Sequence, residues 1–332
     1  MRKRVGIVCF QLGGPDSPSA VEPFLYNLFC DPDIIPLGKL GGLIRKPLAR
    51  YISRKRSKVV GEHYAAIGGQ SPIRLLTERQ ARKLEATLAP ALDARVFVAM
   101  RYWNPLTEVA IEEVRDAELD MLVLLPLYPQ YSYATTQSSL KEWRRLYKPG
   151  YPIPEVRTIE HFYDHPLYIE AVVDRIELAL SHFSHPPLAH IVFSAHGLPM
   201  SLIEKGDPYQ KQIQETVRLV MEDGRWPNPH TLCFQSRVGR QKWLEPALNP
   251  TLAALAKRGE KQLLVVPISF VTEHIETLHE INIEAREHAA HLGIEQFEMM
   301  PAVGDSPRFI GALADLVLRA VGVEHPQPAR VG

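Results

Sequence analysis

The segment Glu273-His274-Ile275-Glu276-Thr277-Leu278-His279-Glu280 packs five ionisable side chains into eight residues. On an α-helix, at about 100° per residue, Glu273, Glu276 and Glu280 fall within about 60° of one another, while Ile275 and Leu278 point elsewhere. Such a row of carboxylates could guide a divalent cation or pass protons stepwise. The plain alternative is a solvated acidic face. Position favours chemistry, because the row follows an apolar strand at 262–269 and ligands of open parallel sheets bind beyond the carboxyl ends of strands. His196 ends another apolar run, 189–194, and precedes Gly197. Imidazole at neutral pH can take a proton or bind a borderline metal such as Fe²⁺, and the glycine permits a sharp turn and close approach of a ligand. Tyr128, Tyr131 and Tyr133 follow a third strand, 120–126; they suit either loop packing or stacking on a large flat ligand.

Other chemistries lack their signatures. The order His-Glu-x-x-His of zinc proteases is absent, as are the loop glycine and alternating acids of an EF-hand. Gly13-Gly14 alone is a weak phosphate signal, and neither GxGxxG nor GxxxxGK[ST] occurs. Cys9, Cys30 and Cys233 are far apart and odd in number, which argues against a disulfide framework or structural zinc. Cys9 and Cys233 read as buried small hydrophobes. Lys plus Arg and Asp plus Glu both number 38, so no global charge favours a nucleic-acid partner.

The elements that must position these residues alternate regularly. Short Val-, Ile-, Leu- and Phe-rich runs at 4–11, 95–100, 120–126, 189–194, 230–235 and 262–269 read as strands buried on both faces. Amphipathic stretches at 74–88, 107–117, 166–183 and 307–321 read as helices between them, which predicts an α/β fold. The pattern repeats. Strand 4–11 leads to Leu12-Gly13-Gly14-Pro15-Asp16-Ser17 and strand 189–194 to His196-Gly197-Leu198-Pro199-Met200-Ser201. Arg101 follows strand 95–100, and Ser236-Arg237 follows 230–235; Leu122–Pro126 matches Leu263–Pro267. Order and content predict two similar Rossmann-like domains, each a parallel sheet flanked by helices, at 1–165 and 166–332. The last helix, about 307–321, could pack back on the first domain. Gly13 and Arg101 are 88 residues apart but Gly197 and Arg237 only 40, so the first half carries an insertion of about 48 residues, and insertions that large are usually functional.

The chain resembles the ferrochelatases over roughly residues 4–321. The resemblance rests on Leu12-Gly13-Gly14-Pro15, Ile67-Gly68-Gly69-Gln70-Ser71-Pro72-Ile73, Met100-Arg101-Tyr102 and Tyr128-Pro129-Gln130-Tyr131-Ser132. It continues through Ser194-Ala195-His196-Gly197-Leu198-Pro199, Gly206-Asp207-Pro208-Tyr209, Gln235-Ser236-Arg237-Val238-Gly239 and Phe270–Leu278. Eight segments in family order are highly specific. The resemblance implies a porphyrin cleft between two domains and insertion of Fe²⁺, a substrate and not a bound cofactor, in haem biosynthesis. It makes His196 and Glu276 the metal and proton-handling pair and sets Glu273, His274 and Glu280 on the same path. Porphyrin contacts are expected from Leu12, Arg101, Tyr102, Tyr128, Tyr131 and Ser132. Some members hold a C-terminal [2Fe–2S] cluster; no cysteine follows Cys233, so none is expected. The coproporphyrin branch tends to carry Tyr before the first glycine pair, and Leu12 suits the less carboxylated protoporphyrin. A coproporphyrin enzyme, another tetrapyrrole chelatase and a non-catalytic metal or haem carrier remain the alternatives.

Residues 34–61 contain no Asp or Glu. They carry Lys39, Arg45, Lys46, Arg50, Arg54, Lys55, Arg56 and Lys58 among Ile34, Ile35, Leu37, Leu40, Leu43, Ile44, Leu48, Tyr51 and Ile52. The pattern predicts a lip touching an anionic membrane surface, with Pro47 ending or kinking any helix there. The basic, apolar N-terminus breaks too early, at Gly13-Gly14-Pro15, for a signal peptide, and no run of 18 apolar residues occurs, so a cytoplasmic protein is expected.

Overall fold

A computed structural model describes residues 3–32, 34–35, 37, 41–148, 155–237 and 241–323. Lys39 and Leu40 of the insertion, and Val238 and Gly239 of the sixth-strand motif, lie outside the described residues. Strands β1 (Arg4–Gln11), β2 (Asp93–Met100), β3 (Met121–Pro126) and β4 (Val156–Thr158) form one parallel sheet in the order β2-β1-β3-β4. Strands β5 (His190–His196), β6 (His230–Gln235), β7 (Gln262–Pro267) and β8 (Gln296–Met299) form a second parallel sheet in the order β6-β5-β7-β8. The two orders are the same once four is subtracted from each label, which is the repeat read from the sequence.

Alternation along each strand explains the continuous apolar runs. Val5, Ile7 and Cys9 of β1 and Ile191, Phe193 and Ala195 of β5 point into one shared core between the sheets. Val8 and Phe10 face a second core under the first sheet's outer helices, and Val192 a third beneath the second sheet. Each fully buried Val, Ile, Leu or Phe side chain contributes about 1.5–3 kcal/mol relative to exposure. The buried thiols of Cys9 and Cys233 are pushed up to about 12 by burial and pack as small hydrophobes.

The helices run, in order, α1 (Val21–Cys30), α2 (Gly41–Ala66), α3 (Ile73–Leu88), α4 (Thr107–Arg115), α5 (Ser138–Leu146), α6 (Pro166–Leu180), α7 (Met200–Glu204), α8 (Tyr209–Gly224), α9 (Leu248–Lys257), α10 (Arg286–His291) and α11 (Pro307–Ala320). Helix α11 packs on α3 and α6. The joint is polar at its rim: Arg79 and Lys83 of α3 pair with Asp305, while Gln80 Nε2 donates to the Val271 and Gly304 carbonyls. Among the described residues there are also two π-helices, Tyr133–Gln137 running into α5 and Glu276–Ala285 running into α10.

Two expectations are corrected here. Of the two outcomes expected at Pro47, an end or a kink, the end does not occur: helix α2 runs through the proline. The proline removes the hydrogen bond to the Leu43 carbonyl, but Ala49 and Ser53 just beyond it are buried, and α2 packs closely on α1. That packing outweighs one lost bond. The acidic segment is the second case. It winds as a π-helix from Glu276, and Glu273 lies before its first turn, so the three-carboxylate face of a regular α-helix does not form.

Candidate active site

His196 is the last residue of β5 and stands beside Gln235 of β6 in the parallel register. Its backbone is fixed from both sides, the N–H donating to Ser269 Oγ at 3.1 Å and the carbonyl accepting from Tyr209 Oη at 3.0 Å. Gly197 makes this possible in a different way from that expected. Its N–H donates to the Gln235 carbonyl at 2.8 Å, and a Cβ there would sit 2.8 Å from that oxygen. The glycine therefore admits the neighbouring strand end.

The π-helix brings Glu276 to His196, with Oε2 3.1 Å from Nδ1. His274 Nε2 lies 3.5 Å from the same oxygen. Phe270 separates the two imidazoles, edge-on to each, at ring-centroid distances of 6.4 and 4.4 Å. With Glu276 ionised, both facing nitrogens serve as donors, and His196 Nε2 has no hydrogen-bond partner among the described residues. Its side chain is 34% exposed and that of Glu276 24%, so the pair opens to solvent at the carboxyl edge of the sheet. Burial opposes charge on His196, but the charge and hydrogen bond of Glu276, with the charge of Glu280, outweigh it and raise the imidazole above its ordinary value. Burial likewise opposes ionisation of Glu276, yet His196 and His274 together hold it well below the usual carboxylate range.

Glu280 lies one step further along the π-helix. Its carboxylate accepts from the Ser236 N–H at 2.7 Å and from the Ser236 hydroxyl. Ser236 adopts φ 63°, a left-handed conformation uncommon for residues other than glycine and seen where local structure demands it. Burial and the charge of Glu276 raise Glu280 despite the Ser236 hydrogen bonds. Gln235 links the set: it accepts from Ser194 Oγ at 2.6 Å and donates to the Glu276 carbonyl at 3.0 Å. Glu273 is directed elsewhere, accepting from the Ala302 N–H at 2.7 Å and from Thr277 Oγ1 at 2.5 Å. It anchors the start of the π-helix to the chain after β8.

The first half meets this edge through its own strand ends. Leu12, Ile67 and Trp103 pack with Ile275 around a cluster containing buried Tyr64 and Tyr102. Tyr64 shares this cluster with Ile275, and burial and the charge of Glu276 raise it. The expected porphyrin contacts divide into two groups. Leu12, Tyr128 and Tyr131 are partly exposed at the carboxyl edge. Arg101, Tyr102 and Ser132 are engaged within the fold. Asp31, itself buried, accepts from Arg101 at 2.7 Å, Tyr102 at 2.6 Å and Ser138 at 2.9 Å. Ser132 donates to Asp207 at 2.9 Å and caps the first π-helix.

The family model for ferrochelatases matches residues 4–321. The chain belongs to the ferrochelatase family. A curated ferrochelatase of Picosynechococcus sp. is 48% identical over 95% of this chain and 82% of its own length. One from Geotalea uraniireducens is 48% identical over 98% of this chain and 100% of its own. Among solved structures, SirB from Bacillus subtilis with Fe³⁺ superimposes with a TM-score of 0.57 at 13% identity, covering 96% of each chain; at that identity the likeness is one of fold.

Within this ferrochelatase framework the pair follows from the resemblance, whereas its supports carried no signal of their own. Tyr209, Gln235 and Ser236 lie inside segments that carried the family resemblance, yet nothing in their types foretold that they would fix His196 and Glu280. Tyr64 gave no signal at all, because its proximity to Glu276 depends on how α2 ends.

Proposed function

We propose that the chain inserts Fe²⁺ into a porphyrin, with His196 as the group that meets the macrocycle. The observation that carries this reading is the His196–Glu276 pair, with Nε2 unpartnered among the described residues at the carboxyl edge of β5. The reaction exchanges two pyrrole N–H protons for one Fe²⁺, with no change of oxidation state. A base is needed, and the pair ranks its members. Glu276 is held too acidic to accept a proton well, whereas His196 is made more basic by it. His196 Nε2 therefore accepts the proton or transiently contacts the iron, and Glu276 Oε2 fixes the ring through Nδ1. Glu280, raised towards neutrality, is the next acceptor outward. Two imidazoles and nearby carboxylates form an open, sparse donor set, which suits a metal that must be released, unlike a closed thiolate cage.

Leu12, Tyr128 and Tyr131 supply partly exposed faces for the macrocycle, while Arg101, Tyr102 and Ser132 hold the wall behind them. Leu12 favours protoporphyrin over coproporphyrin, because an apolar side chain there offers nothing to extra carboxylates. The chain divides functionally at 165/166, so that the cleft lies between two halves bridged by α11. Anaerobic conversion of protoporphyrin and coproporphyrin in competition tests the reading. Preferred turnover of protoporphyrin supports it, a coproporphyrin preference reverses the substrate assignment, and no turnover of either removes the activity.

The lip supports peripheral contact with an anionic membrane. Leu43 is 84% exposed, Tyr51 65% and Ile44 47%. Near them a cavity of about 750 Å³ is lined by Tyr26, Lys46, Pro47, Arg50, Tyr51, Arg54 and Lys55. Among the described residues no helix is long and apolar enough to cross a bilayer, so contact would be interfacial. Each basic side chain near anionic lipid contributes about 1 kcal/mol. Co-sedimentation with anionic and neutral vesicles, against a variant neutralised at Arg54, Lys55, Arg56 and Lys58, tests this. Equally poor sedimentation of both proteins on anionic vesicles would mean that porphyrin arrives from solution or a partner.

A further inference from the structure

The joint between the halves turns on one buried carboxylate, that of Asp207, 4% exposed. Helix α7 ends at Gly206, whose φ of 96° is a left-handed conformation that suits glycine. The Gly206 N–H donates to the Ile203 carbonyl at 2.9 Å and the Asp207 N–H to the Leu202 carbonyl at 3.1 Å, a Schellman ending. That turn delivers the carboxylate to the starts of two helices, one from each half. Its Oδ1 accepts from the N–H of Tyr209, the first residue of α8, at 3.0 Å. Its Oδ2 accepts at 2.8 Å from the N–H of Tyr133, the first residue of the first-half π-helix, and at 2.9 Å from Ser132 Oγ, the cap of that helix. Both helices point their positive ends at the buried charge. Beside it the Tyr131 N–H of the first half donates to Gln212 Oε1 of α8 at 2.6 Å.

We propose that Asp207 is a positioning residue for chelation, a clamp that sets the aromatic wall of the first half at a fixed distance from His196 of the second. The proposal rests on the chelation reading. Its route is short on both sides. In the first half the clamp holds Ser132 and Tyr133, next in sequence to Tyr131. In the second it holds the backbone of Tyr209, whose hydroxyl donates to the His196 carbonyl at 3.0 Å. The chemistry selects the residue type. The Tyr133 and Tyr209 N–H groups are fixed donors that meet different oxygens of one side chain. A carboxylate accepts from both, whereas an amide of the same size has one acceptor oxygen and turns its NH₂ on one of the two. The competing account makes Asp207 an N-cap of α8 and nothing more. That account needs the Tyr209 N–H and neither Ser132 nor Tyr133.

Amide exchange and anaerobic turnover of the full chain separate the two accounts, with Asp207→Asn, Tyr209→Phe, the double variant and Gln80→Ala set against the wild type. Gln80 bridges the halves elsewhere, through the Val271 and Gly304 carbonyls, so its variant loosens the joint without touching the clamp and should retain kcat. Asp207→Asn should exchange faster at residues 131–137 and 194–199, and Gln80→Ala at neither. Its porphyrin KM should rise, and its kcat should fall between about 10- and 10²-fold, the cost of misplacing a catalytic group by up to about 1 Å. Because the clamp acts on His196 through Tyr209, the kcat losses of Asp207→Asn and Tyr209→Phe should not multiply in the double variant. Faster exchange confined to residues 209–213 would reduce Asp207 to a helix cap and overturn the clamp. Losses that multiply in full, or an equal kcat loss in Gln80→Ala, would overturn it too. If Asp207→Asn fails to fold, Ser132→Ala keeps the carboxylate and both N–H bonds; it should speed exchange at 131–137 and raise the porphyrin KM, and no change in either overturns the clamp. Exchange is read without turnover. A wild type that makes no metalloporphyrin therefore defeats the chelation reading, whereas turnover without the exchange pattern defeats the clamp alone.

Discussion

Glu276→Gln tests the central pair most sharply, because it keeps the side chain's size and one acceptor oxygen while removing its charge. At the 3.1 Å separation of Nδ1 and Oε2, two unit charges couple by about 1 kcal/mol in water and about 5 kcal/mol at an effective dielectric of 20. The side chains are 34% and 24% exposed, so solvent screening places the coupling towards the lower end. At about 1.4 kcal/mol per factor of ten, the lost stabilisation of the imidazolium formed on proton abstraction predicts a fall in kcat on the order of 10²-fold, within the range for loss of general base catalysis. The variant should also change the pH profile. His196 is raised because Glu276 outweighs burial; without that charge burial dominates, and the acid limb of kcat/KM should move to lower pH. Anaerobic initial rates across mildly acid to mildly alkaline pH read both effects. A near-wild-type kcat with an unmoved acid limb would refute the reasoning, as would full additivity with His196→Ala, since two parts of one unit should not add.

The same pair predicts a stability profile. Glu276 is depressed, so its contribution is present above its ordinary value of 4.5 and lost on acidification; His196 is raised, so its contribution is present below 6.5 and lost as pH rises through its folded value. The Tm difference between wild type and Glu276→Gln, measured by calorimetry, should therefore be largest between those pH values. Glu280 is raised, so its ionisation destabilises the fold; Glu280→Gln should match or exceed the wild-type Tm at neutral pH, lose that gain in acid, and cost far less kcat than Glu276→Gln. Glu273→Gln weakens the anchor to Ala302 and Thr277 and should lower stability by about 1.5–3 kcal/mol in urea unfolding with kcat retained. Asp31→Asn removes the acceptor charge facing Arg101, whose side chain is 15% exposed, and should cost about 3–5 kcal/mol by the same measurement.

The strand segments, the duplication and the strand-end position of His196 were legible because they rest on signals that survive in one dimension, whereas the pairing of His196 with Glu276 came from the family resemblance. Continuous apolar runs mark strands buried on both faces, and a histidine before glycine at a strand end sits at the binding edge. The acidic row was legible in composition but not in geometry. Residue types do not distinguish i→i+4 from i→i+5 winding, so Glu273 was grouped with Glu276 and Glu280. In the structure it accepts from the Thr277 hydroxyl and the Ala302 N–H instead. Strand β4 was invisible for another reason: its three residues are all exposed, and an edge strand without a buried side chain leaves no hydrophobic signal. Whether Pro47 ends α2 or lies within it was left open by the sequence, because packing on α1 is a tertiary property.

The duplication also explains why the chemistry is lopsided. In both halves the third strand of the repeat, β3 or β7, leads into a π-helix that continues as an α-helix. The device is therefore part of the repeated scaffold and precedes any assignment of function to it. In the first half it is five residues long, capped by Ser132, and carries Tyr133, Thr135 and Gln137. In the second it is ten residues long and carries Glu276, Glu280 and Glu284. A π-helix is costlier than an α-helix and is kept where its wider turn is used. In the first half the turn lies beside the partly exposed Tyr131, which suits a flat ligand's face. In the second the carboxylates follow one another at four-residue intervals along one side of the helix. The same element of the repeat thus presents aromatic and hydroxyl side chains in one half and carboxylates in the other.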